Sequence, residues 1–81
     1  MAITVRFFAA AHEAAAGKDS VQYEPGTLES VVDRCVIDFG EKMSDLMPAC
    51  SFLLDGVSMN DREAQIPDGA IVDVLPPFSG G

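Results

Sequence analysis

Two adjacent glycines, Gly80 and Gly81, are the residues of this chain best suited to carry chemistry. Glycine has no Cβ atom, so a Gly-Gly pair can enter a slot too narrow for any other residue. We expect Gly81 to be the C-terminus, which leaves its carboxylate sterically unhindered. A carboxylate is a poor electrophile until it becomes a mixed anhydride such as an acyl-adenylate, which sulfur or nitrogen nucleophiles attack. These residues therefore predict a chain end that is activated and then captured by a nucleophile.

Pro76 and Pro77 separate this end from the strand predicted over residues 70–75. Proline lacks the N–H that a sheet ladder needs and has a fixed φ, so the strand must stop at Leu75 and the chain must leave it extended. The residues beyond Pro77 can reach roughly 13 Å at about 3.3 Å per extended residue. We therefore divide the chain into a folded domain, residues 1–77, and an extended tail, residues 78–81.

The other candidate groups for chemistry carry weaker patterns. His12 has no partner in a recognisable catalytic arrangement, so a solvent-facing histidine is the favoured interpretation. Gly17-Lys18 lacks the flanking residues of a phosphate loop. Cys35 and Cys50 are too few for a disulfide scaffold, and their spacing is not that of a metal site. The sequence therefore predicts no general acid or base, no permanently bound cofactor and no metal site, and it places catalysis on partner proteins.

Composition narrows the class of protein further. A chain of 81 residues provides one domain with a thin core. The formal charge of −8, with five Lys and Arg residues, argues against nucleic-acid binding because phosphates require a basic patch. An acidic surface favours association with positively charged proteins, although solubility alone would also explain it. No run has transmembrane length or the pattern of a secretory leader, and the two thiols fit a cytoplasmic location without membrane attachment.

Alternation and capping residues predict the elements in the first half of the chain. Ile3, Val5 and Phe7 have the period of a strand whose odd-numbered side chains face the core. A short helix is expected over residues 9–16 and a second strand around residues 21–23. Thr27 is a suitable N-cap for an amphipathic helix that ends at Gly40. The apolar stripe of this helix comprises Leu28, Val31, Val32, Cys35, Val36 and Phe39.

Turn residues define the second half of the chain. A short helical turn is expected over residues 41–47, followed by a third strand over residues 50–54. Asp55-Gly56 is a strong hairpin signal and predicts a brief fourth strand over residues 57–60. Residues 60–66 are polar and are expected to be irregular. Pro67-Asp68-Gly69 then turns the chain into the last strand.

The helix covers only one face of the predicted sheet, so the other face must meet water or a partner. If the first and last strands are neighbours, Arg6 approaches Asp73, which marks the exposed face together with Ile71. Phe8 and Leu75 then form an apolar patch at the root of the tail. A cluster of this kind favours a docking surface over scattered apolar residues that a small domain cannot bury. The predicted docking residues are Phe8, Leu53, Met59, Leu75, Pro76, Pro77 and Phe78.

Three stretches of the sequence resemble one family. The end of the chain, Leu75-Pro76-Pro77-Phe78-Ser79-Gly80-Gly81, is similar to the C-terminus of the small subunit of molybdopterin synthase, a ubiquitin-like sulfur carrier. Val5-Arg6-Phe7-Phe8-Ala9 and Pro67-Asp68-Gly69 continue the resemblance over essentially the whole chain. It implies an α+β fold of the ubiquitin-like β-grasp type, with a mixed sheet of four to five strands, one main helix packed on one face, and the first and last strands parallel at the centre.

The resemblance also implies a function and two partners. An ATP-dependent activating enzyme would adenylate the Gly81 carboxylate, which is then converted to a thiocarboxylate. The carrier would next dock on the large synthase subunit and donate its sulfur to a pterin precursor during molybdenum cofactor biosynthesis. Gly81 would carry the sulfur, Gly80 would give the slender approach, and the two prolines would direct the tail. The chain itself would bind no ATP permanently and contribute no catalytic side chain.

Two alternatives stay open at the level of sequence. Other sulfur carriers, for thiamine or cysteine biosynthesis or for tRNA thiolation, share the diglycine end, as do ubiquitin-like modifiers conjugated to lysines. The second alternative is a non-catalytic β-grasp interaction module, because a fold alone does not determine a function.

Overall fold

Alternating burial along the first strand shows how the sequence builds the sheet. In the computed structural model, which describes residues 2–77, Ile3, Val5 and Phe7 are buried and the side chains between them lie on the opposite face. The last strand buries Val72 and Val74 on the same side, and Asp73 between them is covered on the opposite face. The two strands therefore contribute the same kind of apolar surface to one core.

The regular elements follow one another closely along the chain. Within residues 2–77, three of the strands have only two residues each, the first helix has five, and a 3-10 turn at Met47–Ala49 follows the third helix. The elements are β1 Ile3–Phe7, α1 Ala10–Ala14, β2 Ser20–Tyr23, β3 Gly26–Thr27, α2 Leu28–Phe39, α3 Glu41–Leu46, β4 Ser51–Leu54, β5 Val57–Ser58, β6 Gln65–Ile66 and β7 Ile71–Leu75.

The main sheet has five strands in the order β2-β1-β7-β4-β5. Strands β1 and β7 are parallel, with Val5 opposite Val72 and Phe7 opposite Val74, and all other neighbours are antiparallel. A parallel pair requires a long crossover connection, which here includes α2 packed on one face of the sheet. The expected α+β, ubiquitin-like β-grasp architecture is confirmed, with five strands in its main sheet.

Helix α2 begins and ends at the expected residues. The Thr27 hydroxyl accepts a hydrogen bond from the Ser30 N–H at 3.1 Å and caps the N-terminus. Gly40, with φ of 81°, follows the last helical residue in a backbone conformation that favours glycine. Four of the six stripe residues are buried, whereas Val36 and Phe39 are partly buried against the core. The apolar stripe is therefore the helix face that packs on the sheet.

The hairpin between β4 and β5 is the one that Asp55-Gly56 predicts. Both residues have positive φ, 48° and 86°, which is the conformation of a tight two-residue hairpin turn. The Asp55 carboxylate also accepts a hydrogen bond from the Ile71 N–H at 2.9 Å. Asp55 therefore forms part of the turn and also links it by a hydrogen bond to the start of β7.

Residues 60–66 differ from the irregular segment expected there. Gln65–Ile66 pairs with Gly26–Thr27 as a second, two-stranded sheet. The Leu28 and Glu29 N–H groups at the start of α2 donate to the Ala64 and Arg62 carbonyls. The first N–H groups of a helix have no partner within the helix, so this segment satisfies two of them. The pairing is long-range, and for that reason local sequence patterns did not reveal it.

Replacement of Tyr23 by phenylalanine tests how the edge strand β2 is held to α2. The buried Tyr23 hydroxyl donates to the Asp38 carboxylate at 2.7 Å, and the Arg34 guanidinium lies 5.2 Å from the ring centroid. A hydrogen bond to a charged group contributes about 1.5–3 kcal/mol, so Tyr23→Phe should lower the free energy of unfolding by about 1–2 kcal/mol. Urea denaturation measures the change. An unchanged midpoint would mean that the hydrogen bond contributes nothing to the fold.

Candidate functional site

The root of the predicted tail is fixed firmly in the sheet. Strand β7 ends at Leu75, which pairs with Ser51 of β4, so the chain leaves the sheet between two hydrogen-bonded neighbours. Pro76 is buried and Pro77 is exposed. The expected role of this pair, a stiff exit from the sheet, is compatible with this placement. Phe78, Gly80 and Gly81 lie outside the described residues, and their roles stay predictions.

The sheet face opposite α2, here called the open face, surrounds this root. Strand register assigns to it Thr4, Arg6, Ser51, Leu53, Ile71, Asp73 and Leu75, and the contact of the Phe8 ring with Arg6 adds Phe8. Phe8 is 39% exposed and Ile71 is 37% exposed, whereas Leu53 and Leu75 are half-buried. Three of the predicted docking residues, Phe8, Leu53 and Leu75, therefore share one face with the root of the tail. Ile71 belongs with them, although the sequence placed it on this face without assigning it to docking.

An ion pair between Arg6 and Asp73 occupies the middle of the open face. The Arg6 Nε and Nη2 atoms donate to the two carboxylate oxygens of Asp73, the second at 2.8 Å, so the pair is bidentate. The hydrogen bond to Asp73 and its negative charge raise the pKa of the Arg6 guanidinium above its ordinary value. The Arg6 guanidinium carbon also lies 5.7 Å from the Phe8 ring centroid. The open face thus combines apolar side chains with a central paired charge.

The burial of Asp73 corrects one expectation. The sequence used Asp73 as the marker of the exposed face, and the residue does lie on that face. However, Asp73 is only 5% exposed, because its carboxylate is engaged by Arg6 and it lies on the strand between β1 and β4. The expected approach of Arg6 to Asp73 is confirmed, but the carboxylate is covered instead of facing solvent.

Met59 is placed differently from the other predicted docking residues. Its N–H donates to the Phe52 carbonyl, which continues the β4–β5 register and puts Met59 opposite Phe52. Directly opposed residues share a face, and Phe52 is buried on the helix side. Met59 accordingly borders a small gap with Leu28 and Ile66. The expectation that Met59 extends the open-face patch is therefore wrong, since its side chain belongs to the helix side.

The remaining candidate groups have structural partners. The His12 Nε2 atom lies 3.0 Å from a carboxylate oxygen of Asp19, in a pair at the surface. Cys35 is fully buried in the core, and Cys50 is half-buried with its Sγ atom 3.4 Å from the Leu46 carbonyl. Among residues 2–77 no group of three or more His, Cys, Asp or Glu side chains is arranged to hold a metal ion. Over the same range no helix is long and apolar enough to cross a bilayer.

The Cys35 thiol predicts a pH dependence of stability. Burial raises its pKa from 9.0 to about 12; the Tyr23 hydroxyl opposes this shift and the Asp38 charge adds to it. Between these values the unfolded chain loses the thiol proton while the folded chain keeps it. Stability should therefore fall as pH rises above about 9, by up to about 1.4 kcal/mol per pH unit. Urea denaturation of Cys35→Ala from pH 8 to about 10 should show a shallower loss than the unsubstituted protein.

Cys50→Ala is the matched control for this measurement. Burial raises the pKa of the Cys50 thiol as well, but the nearby Arg62 charge lowers it. We therefore expect Cys50→Ala to keep most of the original pH dependence. Equal slopes for Cys35→Ala and the unsubstituted protein would contradict the assignment to Cys35.

Comparison with solved structures gives the same architecture. A chain from the complex of subunits 1 and 2 of a Helicobacter pylori molybdopterin-converting factor aligns over 100% of both chains, with 21% identity and a TM-score of 0.70. SAMP1 from Haloferax volcanii also aligns over 100% of both chains, with 20% identity and a TM-score of 0.81. The Amycolatopsis orientalis BexX/CysO complex matches 98% of this chain and 99% of its own, with 18% identity and a TM-score of 0.80.

Comparison at the level of sequence identifies the family. No curated protein matches the chain. The model of the ThiS family, in contrast, matches residues 5–81, which includes the last three residues of β1, all of β7 and both glycines of the predicted tail. The resemblance to ubiquitin-like sulfur carriers is thereby confirmed at the level of the family. The chain belongs to the ThiS family and has the β-grasp fold of ubiquitin-like sulfur carriers.

Proposed function

We propose that this protein is a sulfur carrier that acts as the small subunit of a molybdopterin synthase, with Gly81 as the residue that holds the sulfur. The observation that carries the proposal is the family match through residue 81. The match includes Pro76-Pro77-Phe78 and the Gly80-Gly81 end. The structural similarity to a molybdopterin-converting factor over the full length of both chains supports the same branch of the family.

The chemistry begins with activation of the Gly81 carboxylate. One carboxylate oxygen attacks the α-phosphorus of ATP and pyrophosphate leaves, which gives an acyl-adenylate. A hydrosulfide equivalent then adds to the acyl carbon and AMP leaves with the former carboxylate oxygen, so that Gly81 becomes a thiocarboxylate. In the transfer step the thiocarboxylate sulfur displaces an oxygen leaving group from a carbon of the pterin precursor, which gives a thioester. Water then attacks the acyl carbon of Gly81 and the acyl C–S bond breaks, so the sulfur stays on the pterin. The carboxylate is thereby restored.

The described residues support a division of labour between this chain and its partners. The sheet holds the root of the tail, and the open face offers Phe8, Leu53 and Leu75 as a docking patch beside it. Groups that would act as acid or base are assigned to the partners: an ATP-dependent activating enzyme and the large synthase subunit. ATP is thus a substrate of the activating enzyme. We place this exchange in the cytoplasm, where Cys35 and Cys50 would remain reduced.

The second candidate is a sulfur carrier or modifier outside molybdenum cofactor biosynthesis. The similarity to SAMP1 and to the CysO chain of a BexX/CysO complex favours keeping this alternative. The activated chain end and the docking face would be the same, and only the acceptor would differ. A non-catalytic β-grasp module, the third possibility, would require no activation at all.

Intact mass spectrometry separates these functions. The full chain is incubated with ATP, sulfide and the activating enzyme of the same organism, and then with the large synthase subunit and the pterin precursor. A mass increase corresponding to one oxygen replaced by sulfur at Gly81, lost again as molybdopterin forms, is the expected result. Loading without transfer to the pterin would favour the second candidate. No loading with the cognate activating enzyme would favour the module.

A further inference from the structure

The Arg6 guanidinium has hydrogen-bond donors that the fold does not use. Asp73 accepts from Nε and Nη2, and no residue between 2 and 77 accepts from Nη1. A guanidinium has more N–H groups than one carboxylate can satisfy. The Arg6 side chain is 48% exposed, compared with 7% for Asp73, so water can solvate these remaining donors in the free protein. The ion pair is thus covered on its carboxylate side and open on its guanidinium side.

Apolar residues border these donors on the same face. Phe8 lies under the guanidinium, and strand register places Leu53 across from Asp73. Ile71 and Leu75 are the open-face neighbours of Asp73 along β7. A protein that covers the apolar residues must also remove water from Arg6. Desolvated donors destabilise the complex unless the partner provides an acceptor, because a buried polar group without a hydrogen bond is costly.

We propose that Arg6 is a specificity-determining residue for docking, and that the partner's apolar contact surface carries an acceptor oxygen opposite the Arg6 Nη1 group. The inference rests on the proposed function, because the partner concerned is the large synthase subunit; a similar chain occurs in a complex of the two subunits of a molybdopterin-converting factor. Asp73 holds the guanidinium in one orientation and balances its charge. A partner with a purely apolar surface would leave the donors unsatisfied and would be rejected.

A double substitution tests this inference, because two interpretations of the open face predict opposite changes in affinity. Arg6→Met/Asp73→Leu removes both charged groups while retaining side chains of similar size, so neither charge is left buried alone. If the open face binds only through apolar area, the variant should bind as tightly as the unsubstituted protein or more tightly. If the partner provides an acceptor for Arg6, that acceptor becomes unsatisfied, and the affinity should fall by about tenfold or more.

Isothermal titration calorimetry with the large synthase subunit and with the activating enzyme of the same organism measures the affinities. Thermal unfolding and amide NMR spectra show whether the double variant keeps the fold. Leu53→Ala serves as the apolar control, since it should weaken binding under either interpretation. Loss of affinity for the large synthase subunit in the folded double variant is the expected result. Equal or tighter binding of that subunit, including a loss seen only with the activating enzyme, overturns the inference and leaves the proposed function intact.

Two further measurements identify the acceptor and distinguish failure of this inference from failure of the proposed function. If the acceptor is a carboxylate, the loss caused by the double substitution should shrink as salt increases. With a neutral carbonyl the loss should be nearly independent of salt. Both results support the inference. If the unsubstituted protein binds neither partner and is not loaded with sulfur, the proposed function itself fails and the inference fails with it.

Discussion

Deletion of Gly81 should abolish sulfur loading and leave the folded domain unchanged. The new terminal carboxylate, on Gly80, would lie about 3.3–3.6 Å short of its original position along an extended chain. A misplacement of about 1 Å can cost about a hundredfold in rate, so a full residue should reduce loading to background. Intact mass spectrometry after incubation with ATP, sulfide and the activating enzyme measures the loaded fraction. Urea denaturation of the same sample measures the fold.

Two controls make this result specific. Ser79→Ala changes a neighbouring side chain without moving the chain end, and we expect it to load with sulfur. Every buried residue that the structure describes lies between Ile3 and Pro76, so the deletion removes none of them. Normal loading of the shortened chain would contradict a role for Gly81. A large loss of unfolding free energy would instead assign the glycine a structural role.

The sequence predicted the elements that depend on local pattern. Alternation in Ile3, Val5 and Phe7 identified the buried face of β1, and the structure confirms it. The Thr27 cap and the Asp55-Gly56 hairpin were also predictable, because each depends on the conformational preference of one or two residues. Local preferences of this kind depend on adjacent residues and were sufficient to predict the elements, whereas the β-grasp arrangement of the strands was implied by the family resemblance.

Features that depend on pairing between distant residues were harder to predict from the sequence. The β3–β6 pair joins residues about forty positions apart, and neither segment has a strand pattern of its own. Asp73 is covered because Arg6, 67 positions earlier, lies beside it on the neighbouring strand. Met59 lies on the helix side because β5 is short and its face is set by register with Phe52. In each case a partner distant in sequence decides the outcome.

Phe52→Ala should destabilise the fold far more strongly than Tyr23→Phe does. Phe52 is 1% exposed and lies in the core beside Leu28, Ile66 and Val72. Truncation of a buried phenylalanine costs about 3–5 kcal/mol through lost transfer energy and the cavity that remains. Small domains have a total stability of about 5–15 kcal/mol, so a large part of the population should unfold at elevated temperature. Urea denaturation at 25 °C and thermal unfolding measure the loss. A change below about 1 kcal/mol would mean that the side chain is not part of a close-packed core.

Leu53→Ala is the matched control, because Leu53 follows Phe52 along β4 and faces the opposite side of the sheet. Leu53 is only half-buried, and it lies on the open face across from Asp73. We therefore expect Leu53→Ala to cost much less stability than Phe52→Ala but to weaken binding to the activating enzyme or to the large synthase subunit. Successive residues of one strand point to opposite faces, so the two variants separate the packing function of β4 from its docking function. Equal losses of stability in both, with no change in binding for Leu53→Ala, would remove Leu53 from the proposed docking patch.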